Sequence, residues 1–310
     1  MHFDNDLRQS ATASRDPSTP PAAHPQAGAS HGSRGTSRGG TEPGSERTVR
    51  ALGLLYHDLV KGDDFKASGF PGGDADRYKL DVDEFSQHLR SIASTTSQKP
   101  GTALDLLQST AAAEPLVLVT FDDGGVSAYT HTAALLEAFA WPGHFMVTTD
   151  RIGSPPFMTP QQIRDLRRRG HIIGSHSVSH PARMSACGWD QLIREWRDSR
   201  DALAQILGED VSVASVPGGY FSSRVAQAAS AAGIRVLFTS EPTTRCRNVD
   251  ECLVVGRYCF QRGAPARMAG QIARGDWSPR LRSWLSWNSK KVAKKVGGDL
   301  YVKARLSLLR

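Results

Sequence analysis

Short apolar runs alternate with longer periodic stretches along most of the chain. Each short run, rich in Val, Ile, Leu or Phe, predicts a buried strand, because a strand covered on both faces has few polar positions. Each longer stretch has apolar residues every three or four positions and predicts a helix with one buried face. The repeated strand-then-helix order predicts a parallel sheet, and the number of units predicts closure into a barrel. The predicted strands are 49–56, 115–121, 143–148, 171–175, 211–216, 234–239 and 253–258.

Start signals accompany two of the predicted helices. Apolar residues at positions 82, 85, 89 and 92 follow Asp81, a residue type that caps helix N-termini. Thr159-Pro160 places a cap and a first-turn proline before another periodic stretch. Residues 60–79 predict a long loop, and a Ser/Thr/Gly-rich connector leads into the strand at 115. The predicted helices are 80–92, 127–140, 159–169, 189–207, 223–232 and 265–274.

The two ends of the chain differ in composition from the part between them. Residues 1–48 consist mainly of Ser, Thr, Pro, Gly, Ala and Arg, and they hold too few large apolar side chains to offset the entropy cost of ordering. We expect this tail to be disordered, residues 49–275 to form the barrel, and residues 276–310 to form a basic extension. A chain of 310 residues with 39% hydrophobic content is long enough for one such domain plus tails.

Most of the positive charge belongs to the C-terminal extension. The net charge of the chain is +7, and residues 280–310 contain nine Lys or Arg against one Asp. The rest is close to neutral, so we expect no nucleic-acid surface on the barrel. The extension also contains Trp277, Trp284 and Trp287. This pattern fits two arrangements: peripheral contact of 276–310 with an anionic membrane, or a helix packed on the barrel with solvated lysines.

Three features bear on the cellular compartment. No run reaches the roughly eighteen apolar residues of a membrane-spanning helix. The N-terminus lacks the charged start and apolar stretch of an ordinary secretion signal. The cysteines have no metal-ligand spacing, so free thiols are expected, with a Cys246–Cys252 bridge as the alternative. We therefore expect a cytoplasmic protein, with membrane association through the extension left open.

The strand at 115–121 ends at two adjacent carboxylates, Asp122 and Asp123, and two glycines follow. Side chains of a strand alternate between its faces, so the two aspartates cannot both continue it. Two carboxylates in contact repel each other unless a cation or a shared proton separates their roles, so the pair indicates a metal ligand beside a general base. The alternative is a simple turn, because Asp-Gly is a common turn signal.

A second polar cluster follows the strand at 171–175. His176 and His180 are four residues apart, so both can converge on one ion if the chain turns helically there. Together with one aspartate they would supply two imidazoles and a carboxylate. Such a set leaves coordination positions for water and substrate, as catalytic metal sites do.

Together these two motifs resemble the polysaccharide deacetylase (NodB-homology) family, carbohydrate esterase family four. The resemblance covers roughly residues 50–275 and implies a distorted (β/α)7 barrel with its site at the carboxyl ends of the strands. It also implies removal of N-acetyl groups from an N-acetylated sugar of a polysaccharide or glycan precursor. Asp122 would be the general base, and Asp123, His176 and His180 would hold a divalent metal, most often zinc. The motifs are Thr120-Phe121-Asp122-Asp123-Gly124 and His176-Ser177-Val178-Ser179-His180.

Further site positions depend on the same resemblance. Poly-N-acetylglucosamine deacetylases of the family carry a similar apolar-Tyr-His segment before the Asp-Asp motif, which implies His57 as the general acid. The family's third motif falls at Pro217-Gly218-Gly219-Tyr220, with Ser215 in place of its arginine. The Gly218 N–H can still bind an oxyanion, although the segment also fits a simple turn. Tyr220 and Arg257 are the candidate substrate-binding residues, and Arg257 is also the candidate replacement for the missing arginine.

Two other functions fit the same sequence. The missing arginine and altered third motif also fit a barrel that binds carbohydrate or scaffolds partners without catalysis. The motifs equally fit a hydrolase that acts on another C–N bond or an ester. Metal analysis would distinguish the non-catalytic barrel from an enzyme, because a barrel without catalysis does not need a bound ion.

Overall fold

The computed structural model describes residues 49–108 and 114–289, and these form an α/β fold around one large sheet. The strands follow the apolar runs of the sequence. They are β1 (Ala51–Tyr56), β2 (Leu59–Val60), β3 (Leu80–Asp81), β4 (Leu116–Phe121), β5 (His144–Val147), β6 (Ile172–Ser175), β7 (Val213–Ser215), β8 (Val236–Phe238), β9 (Arg247–Val249), β10 (Cys252–Val255) and β11 (Arg257–Cys259).

Nine strands form the main sheet in the order β11-β1-β4-β5-β6-β7-β8-β10-β9, and β2 pairs separately with β3. Neighbouring strands of the main sheet are parallel except β9, which is antiparallel to β10. The buried runs therefore produce the parallel sheet that the sequence predicts. Parallel strands also bring their carboxyl ends to one edge, where the candidate site residues follow β1, β4 and β6.

The predicted strand 253–258 is broken in two at Gly256. Its first part, β10, pairs with β8, and its second part, β11, pairs with β1 at the opposite end of the strand order. One bent segment thus serves both ends of the sheet. This arrangement is consistent with the expected distorted barrel.

Helices cover the sheet and connect its strands. Asp81 caps α2 with a capping box that includes Glu84, and Thr159 caps α5 with Gln162, as their start signals predict. The helices are α1 (Gly73–Asp76), α2 (Val82–Thr95), α3 (Ala103–Gln108), α4 (Ala133–Glu137), α5 (Pro160–Arg168), α6 (Trp189–Leu207), α7 (Ser223–Ala231), α8 (Ala266–Arg274) and α9 (277–289).

Several elements differ from the sequence prediction. The predicted loop 60–79 contains α1, and β2 and β3 pair with each other at its two ends. The connector before β4 contains α3, whose Ala103 and Leu106 pack in one core cluster with Leu118 of β4 and Met146 of β5. This six-residue helix is fixed by contacts with distant strands, which its own sequence does not show. The predicted helix 127–140 is a π-helical turn, Ala128–Thr132, followed by α4. Strand β9 was not predicted.

The remaining expectations have different outcomes. All four cysteines are free thiols, so the Cys246–Cys252 bridge is wrong. Among the described residues, no helix has both the length and the apolar character needed to span a bilayer. The predicted disordered tail, 1–48, and the last part of the basic extension, 290–310, lie outside the described residues. The domain boundaries and the cytoplasmic location remain predictions.

Candidate metal centre and active-site groove

One groove of about 1340 Å³ brings all the predicted site residues together. It opens at the edge of the sheet where the parallel strands end. His57 follows β1 directly, Asp122 and Asp123 follow β4, and His176 follows β6. The predicted residues that line the groove are His57, Asp122, Asp123, His176, His180, Gly218, Tyr220 and Arg257.

The backbone after β4 turns sharply so that both aspartates enter the site. Asp122 N still donates to Tyr56 O of the neighbouring strand, at 3.1 Å, so Asp122 is held by the end of the sheet. Asp123 has a φ of 78°, a left-handed conformation that aspartate tolerates better than most residues. Both side chains are nearly buried. The Asp-Asp pair therefore contributes two buried carboxylates to the groove and is not a simple surface turn.

The segment from His176 to His180 is a loop and not the helical turn that the spacing of the two histidines predicts. Ser177 and His180 both have positive φ, at 66° and 55°. The loop is closed by hydrogen bonds from Ser177 N to Ser175 Oγ and from His180 N to Ser177 Oγ, each 3.0 Å. The two imidazoles still converge, with ring centroids 5.0 Å apart.

Glu195 of α6 fixes this loop, a role that was not predicted from the sequence. Its carboxylate accepts from Val178 N and Ser179 N at 2.9 Å each and from Ser179 Oγ at 2.6 Å. Glu195 lies in phase with the buried face of α6, next to Trp196. The sequence signal for this role was a carboxylate on the apolar face of a predicted helix, because a buried charge needs hydrogen-bond partners.

Asp123, His176 and His180 form a group that could hold a divalent metal ion. Asp123 Oδ1 lies 3.4 Å from His176 Nε2 and 3.6 Å from His180 Nε2, and the ligand atoms of the three lie within 4.8 Å of one another. Metal–ligand bonds of about 2.0–2.2 Å in a tetrahedron place neighbouring donors roughly 3.4 Å apart. The donor set and its spacing therefore fit the ion.

Hydrogen bonds at the second ring nitrogen orient His176. Its Nδ1 lies 2.6 Å from Ser215 Oγ and 3.1 Å from Ser215 O. Ser215 Oγ donates its own proton to Asp122 Oδ1 at 2.9 Å, so it accepts from His176 Nδ1–H. This leaves the lone pair of Nε2 facing Asp123, as a metal ligand requires.

Arg257 pairs with Asp122 in the position that the missing arginine left open. Its Nη1 and Nη2 donate to the two carboxylate oxygens of Asp122 at 2.7 Å each. The guanidinium is fully buried and also donates to Thr239 O and Thr120 Oγ1 at 3.1 Å each. A Cβ at Gly53 would lie 2.6 Å from Arg257 Cγ, so the glycine makes space for this side chain.

The charges of the site act against the effect of burial. Burial would raise the pKa of Asp122, but the charge of Arg257, with His176 adding to it, holds this pKa well below its usual range. Burial would lower the pKa of His176, but Asp122 and Asp123 outweigh it and raise that pKa. Burial and the charge of His176 lower the pKa of His180 to about 4. The carboxylates that favour a proton on His176 equally favour a metal cation.

The other predicted residues lie along the groove around this centre. The ring of His57 lies 4.8 Å from that of Tyr78, and its buried Nδ1 has no hydrogen-bond partner among the described residues. Gly218 has a φ of 61°, which explains a glycine there. The Arg183 guanidinium lies 5.6 Å from the ring centroid of Tyr220. The catalytic and binding roles of these residues remain predictions.

Residues 109–237 match the family model described as "Polysaccharide deacetylase". The matched span contains the Asp-Asp pair, both candidate histidine ligands and Gly218, while His57 precedes it and Arg257 follows it. The resemblance carried by the two motifs is thereby confirmed.

Individual relatives support the same assignment. YxkH of Bacillus subtilis is 22% identical over 207 residues, which cover 66% of this chain and 69% of YxkH. A chitooligosaccharide deacetylase of Sinorhizobium fredii is 30% identical over 128 residues, which cover 41% of this chain and 57% of that enzyme. Among solved structures, IcaB from Ammonifex degensii is similar with a TM-score of 0.60 and 20% identity, covering 74% of this chain and 98% of IcaB. The structural similarity confirms the α/β fold.

Proposed function

Because this chain contains a polysaccharide deacetylase domain, we propose that it is a metal-dependent hydrolase that removes N-acetyl groups from an N-acetylated sugar of a polysaccharide or glycan precursor. One observation carries the proposal. Asp123, His176 and His180 converge within ligand distance beside the buried carboxylate of Asp122, in the wall of an open groove. A metal site with a spare carboxylate is the arrangement that amide hydrolysis by activated water needs.

We further propose zinc as the metal held by Asp123, His176 and His180. Two imidazoles and one carboxylate are ligands that suit zinc, and a three-residue set leaves room for water and substrate. When bound, such an ion lowers the pKa of a coordinated water and polarises the carbonyl of the acetamide.

Asp122 has the role of general base. The pKa of Asp122 is lowered, so the carboxylate is ionised at neutral pH, as an acceptor for the proton of the attacking water must be. Arg257 and Ser215 both donate to Asp122 and fix its orientation. A carboxylate held in this way loses little free energy to reorientation when the proton is transferred.

Two further roles, stabilising the oxyanion and protonating the leaving amine, are assigned to residues across the groove. Water adds to the acetamide carbon and gives its proton to Asp122, while the Gly218 N–H donates to the developing oxyanion. The C–N bond then breaks, and His57 gives a proton to the departing amine. The products are acetate and a free amino sugar. Tyr220 is assigned to contact with the sugar ring.

The pairing of Arg257 with Asp122 weakens the case for a barrel without catalysis. That alternative was suggested by the missing third-motif arginine, and a buried arginine from β11 now supplies the bidentate contact. An ester or another C–N bond as the target remains for experiment to decide.

The test is release of acetate from N-acetylglucosamine oligomers and from lipid-linked precursors. We expect acetate and free amine in equal amounts, loss of both after treatment with a chelator, and recovery on addition of Zn²⁺. Purified protein that binds no divalent ion and releases no acetate would support the non-catalytic barrel. Hydrolysis of acetyl esters without hydrolysis of acetamides would support the other hydrolase.

A further inference from the structure

Helix α9 presents large apolar side chains to solvent. Trp277 is 72% exposed, Leu285 53%, Trp284 47% and Leu281 40%. Their spacing along α9 places all four on one side of the helix. Among the described residues, Trp189 is the one other large apolar side chain with comparable exposure. The apolar face of α9, meaning these four residues, is therefore a concentrated patch rather than ordinary scatter.

The opposite side of α9 belongs to the active-site groove. Ser283, Ser286 and Trp287 line the groove. Arg280 fixes the helix to the barrel, because its Nε donates to Tyr258 Oη and its Nη1 to Gly275 O, both at 3.0 Å. The helix is thus held by one side, and its apolar face points away from the barrel.

The charge of the sequence that follows indicates what this face contacts. Residues 290–310 carry seven Lys or Arg and one Asp. Lysine is depleted in protein–protein interfaces, whereas a basic segment next to exposed tryptophans is attracted to anionic lipid headgroups. Tryptophan in particular favours the boundary between headgroups and acyl chains.

We propose that the apolar face of α9 docks on an anionic membrane surface, with the basic residues of 290–310 adding electrostatic attraction. Apolar burial and attraction to anionic lipid are the two terms that hold an interfacial helix on a membrane. Because α9 also forms one side of the groove, docking would hold the groove beside the lipid surface. The proposal concerns binding and does not depend on the hydrolytic activity.

The test is co-sedimentation of the full chain with vesicles of phosphatidylcholine alone and of phosphatidylcholine mixed with phosphatidylglycerol. The variant is the double substitution Trp277→Ser and Trp284→Ser, and the control is Trp189→Ser on the exposed start of α6. We expect the wild-type chain to bind the mixed vesicles and to bind them less at high salt. The double variant should bind at least about tenfold more weakly, and the control should bind like wild type. A cooperative thermal transition in all three proteins shows that each of them is folded when binding is measured.

Three results would overturn the proposal. The first is a wild-type chain that stays in the supernatant with anionic vesicles. The second is a double variant that binds as tightly as wild type. The third is a wild-type chain that does not bind vesicles but dimerises, with a monomeric double variant, since a second copy would then cover this face.

Discussion

Strand β6 has a buried histidine immediately before it and another immediately after it, and the two serve different purposes. His171 precedes the strand and His176 follows it, and each is 1% exposed. At His171, Nδ1 accepts from Gly143 N at 3.0 Å and Nε2 lies 3.0 Å from Glu137 Oε1, so both ring nitrogens are used by the fold. At His176, only Nδ1 is used in this way, and Nε2 faces Asp123 and the groove.

The neighbouring strand repeats the pattern at its amino end. His144, the first residue of β5, donates from Nδ1 to Val119 O at 2.9 Å and accepts from Ala103 N at Nε2, at 2.8 Å. Burial therefore does not distinguish a metal ligand from a structural histidine in this protein. The distinction lies in the second ring nitrogen, which meets a backbone or side-chain partner at one edge of the sheet and other metal donors at the opposite edge.

The strongest test of this comparison replaces each of the two histidines that flank β6 with alanine. His176→Ala should lose the bound ion, and its activity should fall by more than the 10²–10⁴-fold expected for a lost acid–base group. His171→Ala should keep one ion per chain and lose about 2–3 kcal/mol of stability from the cavity and the broken hydrogen bonds. Metal content after dialysis and the free energy of unfolding measure the two effects.

A second ligand variant controls for misfolding. His180 is more exposed than His176, so His180→Ala should lose the metal with a smaller change in melting temperature. If His176→Ala and His171→Ala kept equal amounts of metal, the distinction between the two edges of the sheet would be lost.

The next prediction separates two roles within the carboxyl edge itself. Asp122→Asn should keep the metal, because Asp122 lies beside the ligand set and is not part of it, and should lose on the order of 10²–10⁴ in kcat. Loss of its charge leaves Arg257 buried without its carboxylate, so the assay should be run well below the melting temperature of the variant. Loss of the ion from this variant would instead make Asp122 a ligand.

The sequence alone predicts the part of this site that lies in short contiguous motifs. Asp122, Asp123, His176 and His180 follow strands directly, and strand positions can be read from apolar runs. The form of the loop could not be predicted, because Ser177 and His180 have positive φ and the two residues between them are held by a glutamate of α6.

From the sequence, contacts between distant segments could be proposed only as hypotheses. Arg257 lies 135 residues from Asp122, and its pairing depends on β11 lying beside β1. The same limit applies to α3, which is held in part by His144 and, at six residues, is too short to show a helical period. Where structure depends on which strands become neighbours, local periodicity carries little information.

Substitution of Glu195 tests whether its hydrogen bonds to the loop at 176–180 matter for metal binding. Glu195→Gln removes one acceptor from a carboxylate that receives three hydrogen bonds from Val178 and Ser179. We expect metal affinity to fall by about 10- to 100-fold, as it does when outer partners of metal ligands are lost. The matched control is Asp198→Asn, on the exposed side of the same helix. Affinity is measured by competition with a chelator, and equal affinity in both variants would show that the loop holds its form without Glu195.

The last prediction concerns a histidine at the amino edge of the sheet. Its substitution should leave the metal site unchanged. Burial lowers the pKa of His144 to about 4 from the usual 6.5 of histidine. Below pH 6.5 the unfolded chain therefore takes up a proton at this residue while the folded chain does not. Stability from this group is complete above pH 6.5 and is lost as the pH falls towards 4, by about 2 kcal/mol between pH 7 and pH 5.

Substitution isolates this contribution from the other groups that titrate over the same range. His144→Gln cannot take up the proton, so its free energy of unfolding should fall by about 2 kcal/mol less than that of wild type between pH 7 and pH 5, although it is less stable at both. Urea unfolding at the two pH values gives the difference, and metal content should match wild type at pH 7. Equal pH dependence in the two proteins would mean that folded His144 takes up a proton over the same pH range as in the unfolded chain. Its Nε2 could then not accept from Ala103 N, and the contrast between the two edges of the sheet would have to be explained by something other than the use of the second ring nitrogen.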